Sequence, residues 1–157
     1  FDLLLLDLII SKKKVDIHLI MNTTKSSKNR IKVSLLKLIN EEFIAIENDL
    51  YIPNKPYQSI VTQTLAIEAK LYSWKRALKQ AYRYKWFSEH SFVFLPKENI
   101  KPAQKNIELF KKYEVGLASV CEDSINVIYA PCPSQPICST MKAVLNEHVL
   151  QCSQTVI

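Results

Sequence analysis

The chain has 157 residues, 48% of them hydrophobic and 23% charged, and its 21 basic side chains outnumber 15 acidic ones for a formal net charge of +6. That apolar content excludes a disordered chain and suffices for one ordinary core or two small ones, while the positive balance favours an anionic partner such as nucleic acid. A single glycine, Gly116, excludes glycine-rich phosphate loops and dinucleotide fingerprints, whose turns need several glycines at fixed offsets.

The opening "FDLLLLDLII" is apolar, but Asp2 and Asp7 interrupt it and Lys12, Lys13 and Lys14 follow, far short of the roughly twenty residues that cross a bilayer. It reads as a core helix from Leu3 to Ile10. "VDIHLIMN" predicts a second short helix with Asp16 as its cap, and Ser27 to Glu41 a third. In the third, Ile31, Leu35, Leu38 and Ile39 recur at helical spacing and share one buried face. Lys28, Asn29, Arg30, Lys32, Ser34 and Lys37 lie largely off that face. "EEFIAIENDLYIPN" then suggests two short strands turning at "END".

Three helices followed by a hairpin resemble a winged helix-turn-helix domain, and the likeness covers "VDIHLIMNTTKSSKNRIKVSLLKLINEEFIAIENDLYI". The resemblance implies that Ser27 to Asn40 enters the major groove of DNA, with Lys28, Asn29, Arg30 and Lys32 nearest the duplex. The plain alternative is a solvated face on a protein-interaction or dimerisation module. Residues 1–54 hold eight of the basic and seven of the acidic side chains, so the remaining thirteen basic and eight acidic ones put the positive excess in the second part.

"NKPYQ" is a proline-containing polar connector, which divides the chain into residues 1–54 and 55–157. Beyond it, "SIVTQTLAIEAKL" predicts two strands or one bent strand, and "SWKRALKQAYRYKWFSE" a helix capped by Ser73 with Trp74, Ala77, Leu78 and Ala81 on one face. "SFVFLP" is a strand stopped by Pro96, "PAQKNIELFKKYE" a further helix, and "VGLASV" and "INVIYA" are short strands. This alternation is an α/β sheet pattern. A last helix is expected from about Thr140 to Gln151.

On a strand, alternate side chains share a face, so Glu68 and Lys70 of "IEAK" project together. A carboxylate can hold a divalent cation that polarises a phosphate, and a neighbouring ammonium can orient the attacking water and stabilise developing charge. The same pair is also a common weak ion pair on half-exposed strands. On the following helix, Arg76, Gln80 and Tyr84 form one stripe and Lys75, Lys79 and Arg83 an adjacent basic one. A polar stripe of this kind is usually the wet face of a helix; here it also carries the chemistry to bond a metal-bound water and to track a phosphate backbone.

"LAIEAKLYSWKRALKQAYRYKWFSEHSFVFLP", continuing to about Glu122, is similar to the restriction-endonuclease-like PD-(D/E)xK superfamily, particularly RecB-type nucleases with a Glu-x-Lys strand and a Gln-x-x-x-Tyr helix. The resemblance implies a mixed α/β sheet with flanking helices. It makes Glu68 a metal-binding carboxylate, Lys70 the catalytic lysine, the Ala69 carbonyl a ligand, and Gln80 and Tyr84 accessory catalytic residues. The implied cofactor is Mg²⁺ or Mn²⁺, and the implied substrate DNA, with Lys75, Arg76, Lys79 and Arg83 along its backbone. The family also uses an acidic residue on the preceding strand, near Ser59, yet no Asp or Glu occurs between Asp49 and Glu68. The substitutes are Asp49 or Glu47, if the preceding hairpin doubles as part of the nuclease core, or a carboxylate from a second copy in a homodimer. The expected function is therefore DNA binding with metal-dependent hydrolysis; a degenerate nuclease fold that only binds, or a transcription regulator, is the alternative.

Other features are less specific. Cys121, Cys132, Cys138 and Cys152 all lie in the last third, and no secretory signal precedes them, so a reducing cytoplasmic setting with no membrane association is expected. The spacing of Cys132, Cys138, His148 and Cys152 matches no common zinc motif. His18 and His90 have no nucleophile nearby in sequence and read as structural. Trp74, Tyr82, Trp86 and Phe87 have the chemistry to stack on unpaired bases, with Trp74 expected in the core.

Overall fold

The computed structural model describes residues 1–154. It is an α/β protein of two compact units, one formed by Phe1–Ile60 together with the chain from Asn146 onward, the other by Val61–Leu145.

In the first unit, α1 (Asp2–Lys12), α2 (Ile17–Thr24) and α3 (Lys28–Asn40) precede a hairpin of β1 (Ile44–Glu47) and β2 (Leu50–Pro53). The caps are local. Asp16 accepts from the Leu19 amide at 2.7 Å to start α2, and Ser27 accepts from the Arg30 amide at 3.4 Å to start α3. Leu5, Leu6, Ile9, Ile20, Ile31, Leu35, Leu38 and Ile44 are buried together, each helix contributing one apolar stripe. Antiparallel pairing runs from Ile44 opposite Pro53 to Glu47 opposite Leu50. Both turn residues, Asn48 and Asp49, have positive φ, 49° and 62°, the conformation that a two-residue hairpin requires. Val15, between α1 and α2, exchanges two backbone hydrogen bonds with Tyr51 of β2 and adds a one-residue third strand.

The second unit is built on a four-stranded sheet in the order β3 (Leu65–Ala69), β4 (His90–Pro96), β5 (Gly116–Cys121), β6 (Ser124–Tyr129). The first three strands are parallel and β6 is antiparallel to β5. Helix α4 (Trp74–Tyr84) connects β3 to β4; a 3-10 turn, α5 (Lys101–Gln104) and α6 (Ile107–Tyr113) connect β4 to β5. Val93, Leu95 and Leu117 of the sheet meet Ala77, Leu78, Ala81 and Phe110 of the helices in a second core. The opposite sheet face keeps Leu65, Ile67, Ile125 and Val127 exposed. Helix α7 (Ser139–Gln154) begins in this unit and ends in the other.

Four expectations differ. Ser34, expected off the buried face of α3, is 5% exposed because its hydroxyl donates to the Asp2 carboxylate of α1. Residues 59–64 form no strand, because the Ile60 and Thr64 amides donate to the side chains of Asn146 and Glu89, both at 2.9 Å, instead of to a neighbouring strand. The expected single helix over 102–114 is broken into α5 and α6, where the Asn106 side chain bonds the Pro102 carbonyl at 2.9 Å and competes with the helical backbone. Ser73 occupies the cap position of α4 with φ of 61° and makes no capping hydrogen bond through its side chain. Among the described residues, no helix is long and apolar enough to cross a membrane.

Gly116 is required by a close approach. A Cβ there would lie 2.2 Å from carbons of the Phe92 ring on the adjacent strand. Gly116→Ala is expected to destabilise the fold by about 2 kcal/mol, the usual scale of overpacking. Adding Phe92→Leu should recover part of that loss in urea unfolding; an additive double variant would place the strain elsewhere.

Candidate functional site

Strand β3 has β4 as its paired neighbour, and α4 packs back against both strands, so the side chains that β3 turns toward the helix meet the helix's near stripe. Glu68 is one of them and is 7% exposed. A buried carboxylate is costly unless its oxygens are paired. One oxygen accepts from the Tyr84 hydroxyl, and the other lies 3.0 Å from the Lys70 ammonium. Burial pushes the pKa of Glu68 up, but the hydroxyl, the ammonium and the Arg76 charge outweigh it and hold the group below the ordinary glutamate value. The same hydrogen bond, aided by burial, pushes the Tyr84 phenol above its ordinary value.

Arg76 and Tyr84 lie one turn either side of Gln80, and both act on Glu68, so Gln80 belongs to the stripe that faces it. Gln80 Oε1 is buried with no hydrogen-bond partner, an acceptor that a bound water, cation or donor would satisfy. Glu68, Lys70, Tyr84 and Arg76 therefore converge, with Gln80 among them.

The donor set was tested against the divalent cation that the sequence pattern implies. Hard cations need several charged oxygens. Among the described residues, no group of three or more His, Cys, Asp or Glu side chains is placed to hold a metal ion. Glu68 is a single carboxylate whose two oxygens are already engaged. Asp49 stands at the tip of the β1–β2 hairpin in the other unit. Ser59, near which the second acid is expected, donates its hydroxyl to Asn146 at 3.0 Å. The residues present do not fit a Mg²⁺ or Mn²⁺ centre, and no chemical step is derived through one.

The remaining basic candidates divide by position. Lys28, Asn29, Arg30 and Lys32 are exposed along the first half of α3, and the Arg30 guanidinium lies 4.3 Å from the centroid of the Phe1 ring. Lys75, Arg76, Lys79 and Arg83 are exposed on α4. The cysteines Cys121, Cys132, Cys138 and Cys152 are free thiols.

Other paired charges had no signal in the sequence. Glu89 is bound by Lys142, 53 residues away, and by the Thr64 amide. Lys85, only 9% exposed at its side chain, pairs with Glu114 at 2.6 Å. Asn146 is fully buried; its Oδ1 accepts from Ser59 and the Ile60 amide, and its Nδ2 donates to the Tyr57 hydroxyl. Each joins segments far apart in sequence, where local periodicity carries no information.

No family model matches the chain, and neither does any curated protein or solved structure compared with it.

Since the folded Glu68 has a lowered pKa, its contribution to stability is present above the unfolded pKa and is lost as pH falls through the folded one. Tyr84→Phe is expected to cost about 2 kcal/mol at neutral pH, the scale of a hydrogen bond to a charged group. The gap from wild type should narrow as pH drops below the ordinary glutamate value. Urea unfolding followed by tryptophan emission checks this, because Trp74 and Trp86 both belong to this unit; a pH-independent gap would assign the effect to packing.

Proposed function

We propose that the chain binds DNA through a winged-helix first unit and a restriction-endonuclease-like second unit. The observation that carries this reading is the pairing of the buried Glu68 carboxylate with Lys70 and Tyr84, beside the charge of Arg76, from the strand and helix that the nuclease pattern pairs. The parallel β3–α4–β4 crossover is consistent with it, since it brings the strand of Glu68 and the helix of Tyr84 together. In the first unit, the order of three helices followed by a two-stranded hairpin supports a winged helix. Exposed Lys28, Asn29, Arg30 and Lys32 then lie on the recognition helix.

Binding is favoured over hydrolysis because the site supplies one carboxylate. A specific observation keeps Mg²⁺-dependent hydrolysis as the second reading: the unpartnered Oε1 of Gln80 marks an unfilled acceptor on the Glu68 stripe. That reading needs a second acid from outside the cluster, for which a second copy of the chain is the candidate source.

Duplex binding measured against salt tests the main reading. Lys28→Ala and Lys32→Ala together should lower the slope of log affinity against log salt by about 1.8, since each phosphate contact contributes about 0.9. An unchanged slope would remove α3 from the interface. Cleavage of duplex, single-stranded and branched DNA with Mg²⁺ or Mn²⁺, compared with Glu68→Ala and Lys70→Ala, tests the second reading. Equal background from all three proteins leaves binding as the function; metal-dependent cleavage lost in both variants makes the protein a nuclease.

A further inference from the structure

Helix α4 has a second stripe that the Glu68 cluster does not use. Trp74, Leu78 and Tyr82 face Leu109 and Tyr113 of α6 across a groove of about 450 Å³, within the size range of small-ligand sites. Its walls are aromatic and partly open: Tyr82 is 40% and Tyr113 37% exposed, with ring centroids 5.2 Å apart. Trp74 is anchored beneath by Phe110, at 6.0 Å between centroids, so its ring is held in place.

Among the described residues, Lys75 and Lys79 line the groove and no acidic side chain does; beyond Tyr113 lie Lys112 and Glu114, the latter paired with Lys85. Lys75 Nζ lies 5.7 Å from the centroid of Trp74, and Lys112 Nζ 5.8 Å from that of Tyr113. These ammonium groups therefore lie over the aromatic rings, and a ligand carrying both a flat apolar group and adjacent anionic groups would draw them to its anions while its flat group takes the ring surface. An unpaired nucleobase with its flanking phosphates has that composition, and stacking on aromatics beside a cationic rim is how sequence-independent single-strand sites work. A duplex, with its bases already stacked, offers only the phosphates.

We propose that the α4–α6 groove binds single-stranded nucleic acid, stacking an unpaired base on Tyr82, Tyr113 and Trp74 while Lys75, Lys79 and Lys112 hold the neighbouring phosphates. This deepens the DNA-binding reading and rests on it for the class of partner, but it uses a different face of α4 from Glu68 and different residues from α3.

The test uses the full chain carrying Trp86→Phe, so that Trp74 is the remaining tryptophan. Titration with a short oligothymidylate should quench Trp74 emission saturably, with an affinity that falls as salt rises. Tyr82→Ala and Tyr113→Ala should each weaken binding by about tenfold, whereas Tyr82→Phe should restore it, because the ring stacks without its hydroxyl. An abasic oligonucleotide of equal length should bind at least tenfold more weakly than oligothymidylate. Equal binding of the two, or competition by polyglutamate as effective as by oligothymidylate, would overturn the base-binding assignment and leave a surface for anions or acidic peptides. Unchanged affinity in both alanine variants would likewise overturn the groove. Duplex affinity, measured alongside, separates the two ideas: its dependence on Lys28 and Lys32 tests the winged-helix reading, and Tyr82→Ala should leave it within twofold of wild type.

Discussion

An ionised carboxylate buried at the edge strand of a sheet must be matched from both sides, and Glu68 imposes that requirement on everything near it. Lys70 answers from the same chain segment, two residues on, and Tyr84 from the far end of α4. Satisfying both fixes the rotation of α4 about its own axis. With Arg76, Gln80 and Tyr84 turned to β3, the helical period turns Ala77, Leu78 and Ala81 to the core and leaves Lys75, Lys79 and Tyr82 toward α6. The single pairing at Glu68 thus separates three faces of one helix: a polar stripe at the carboxylate, an apolar stripe on the sheet, and an aromatic and basic stripe at the groove.

A second constraint is the scarcity of glycine. Among the described residues, seven non-glycine residues adopt positive φ: Lys13, Lys25, Glu42, Asn48, Asp49, Ser73 and Glu114. Left-handed backbone costs an ordinary residue roughly 1 kcal/mol, less for Asn and Asp, so each of these turns must be held by its context. Several are helix ends, where Lys13, Lys25 and Glu114 donate their amides back to carbonyls of the preceding helix. The one glycine is used for space instead of backbone freedom, under the Phe92 ring.

These two constraints explain what was legible in the sequence. The helices of the first unit were readable because Asp16 and Ser27 cap locally and Ile31, Leu35 and Leu38 repeat at the helical period. The grouping of Glu68, Lys70 and Tyr84 was readable because strand and helix periods place them before any long-range contact is known. Ser73 misled because serine commonly caps through its side chain, whereas here it turns the backbone in the left-handed region. The break at Asn106 and the missing strand over residues 59–64 were illegible for a common reason: in both, a side-chain amide or carboxylate replaces a backbone partner. At residues 59–64 the partners, Asn146 and Glu89, are brought near only by folding, whereas Asn106 competes locally, through the carbonyl four residues before it.

The region around Ser59 shows how this bears on function. A second acid there would need to stand on a strand paired beside Glu68. Ser59 and Ile60 are instead bound by Asn146, which in turn donates to Tyr57, and Tyr57 donates to Glu147 at 2.8 Å. Burial, then Glu147, raise the Tyr57 phenol to about 12, keeping it a donor throughout the physiological range. Replacing Ser59 with an acid would therefore remove the hydrogen bond that its hydroxyl donates to the carbonyl oxygen of Asn146, set a carboxylate against that oxygen, and break this network before it built a metal site. What opposes a second acid here is more than one absent side chain. The backbone that would present it is committed to another set of hydrogen bonds.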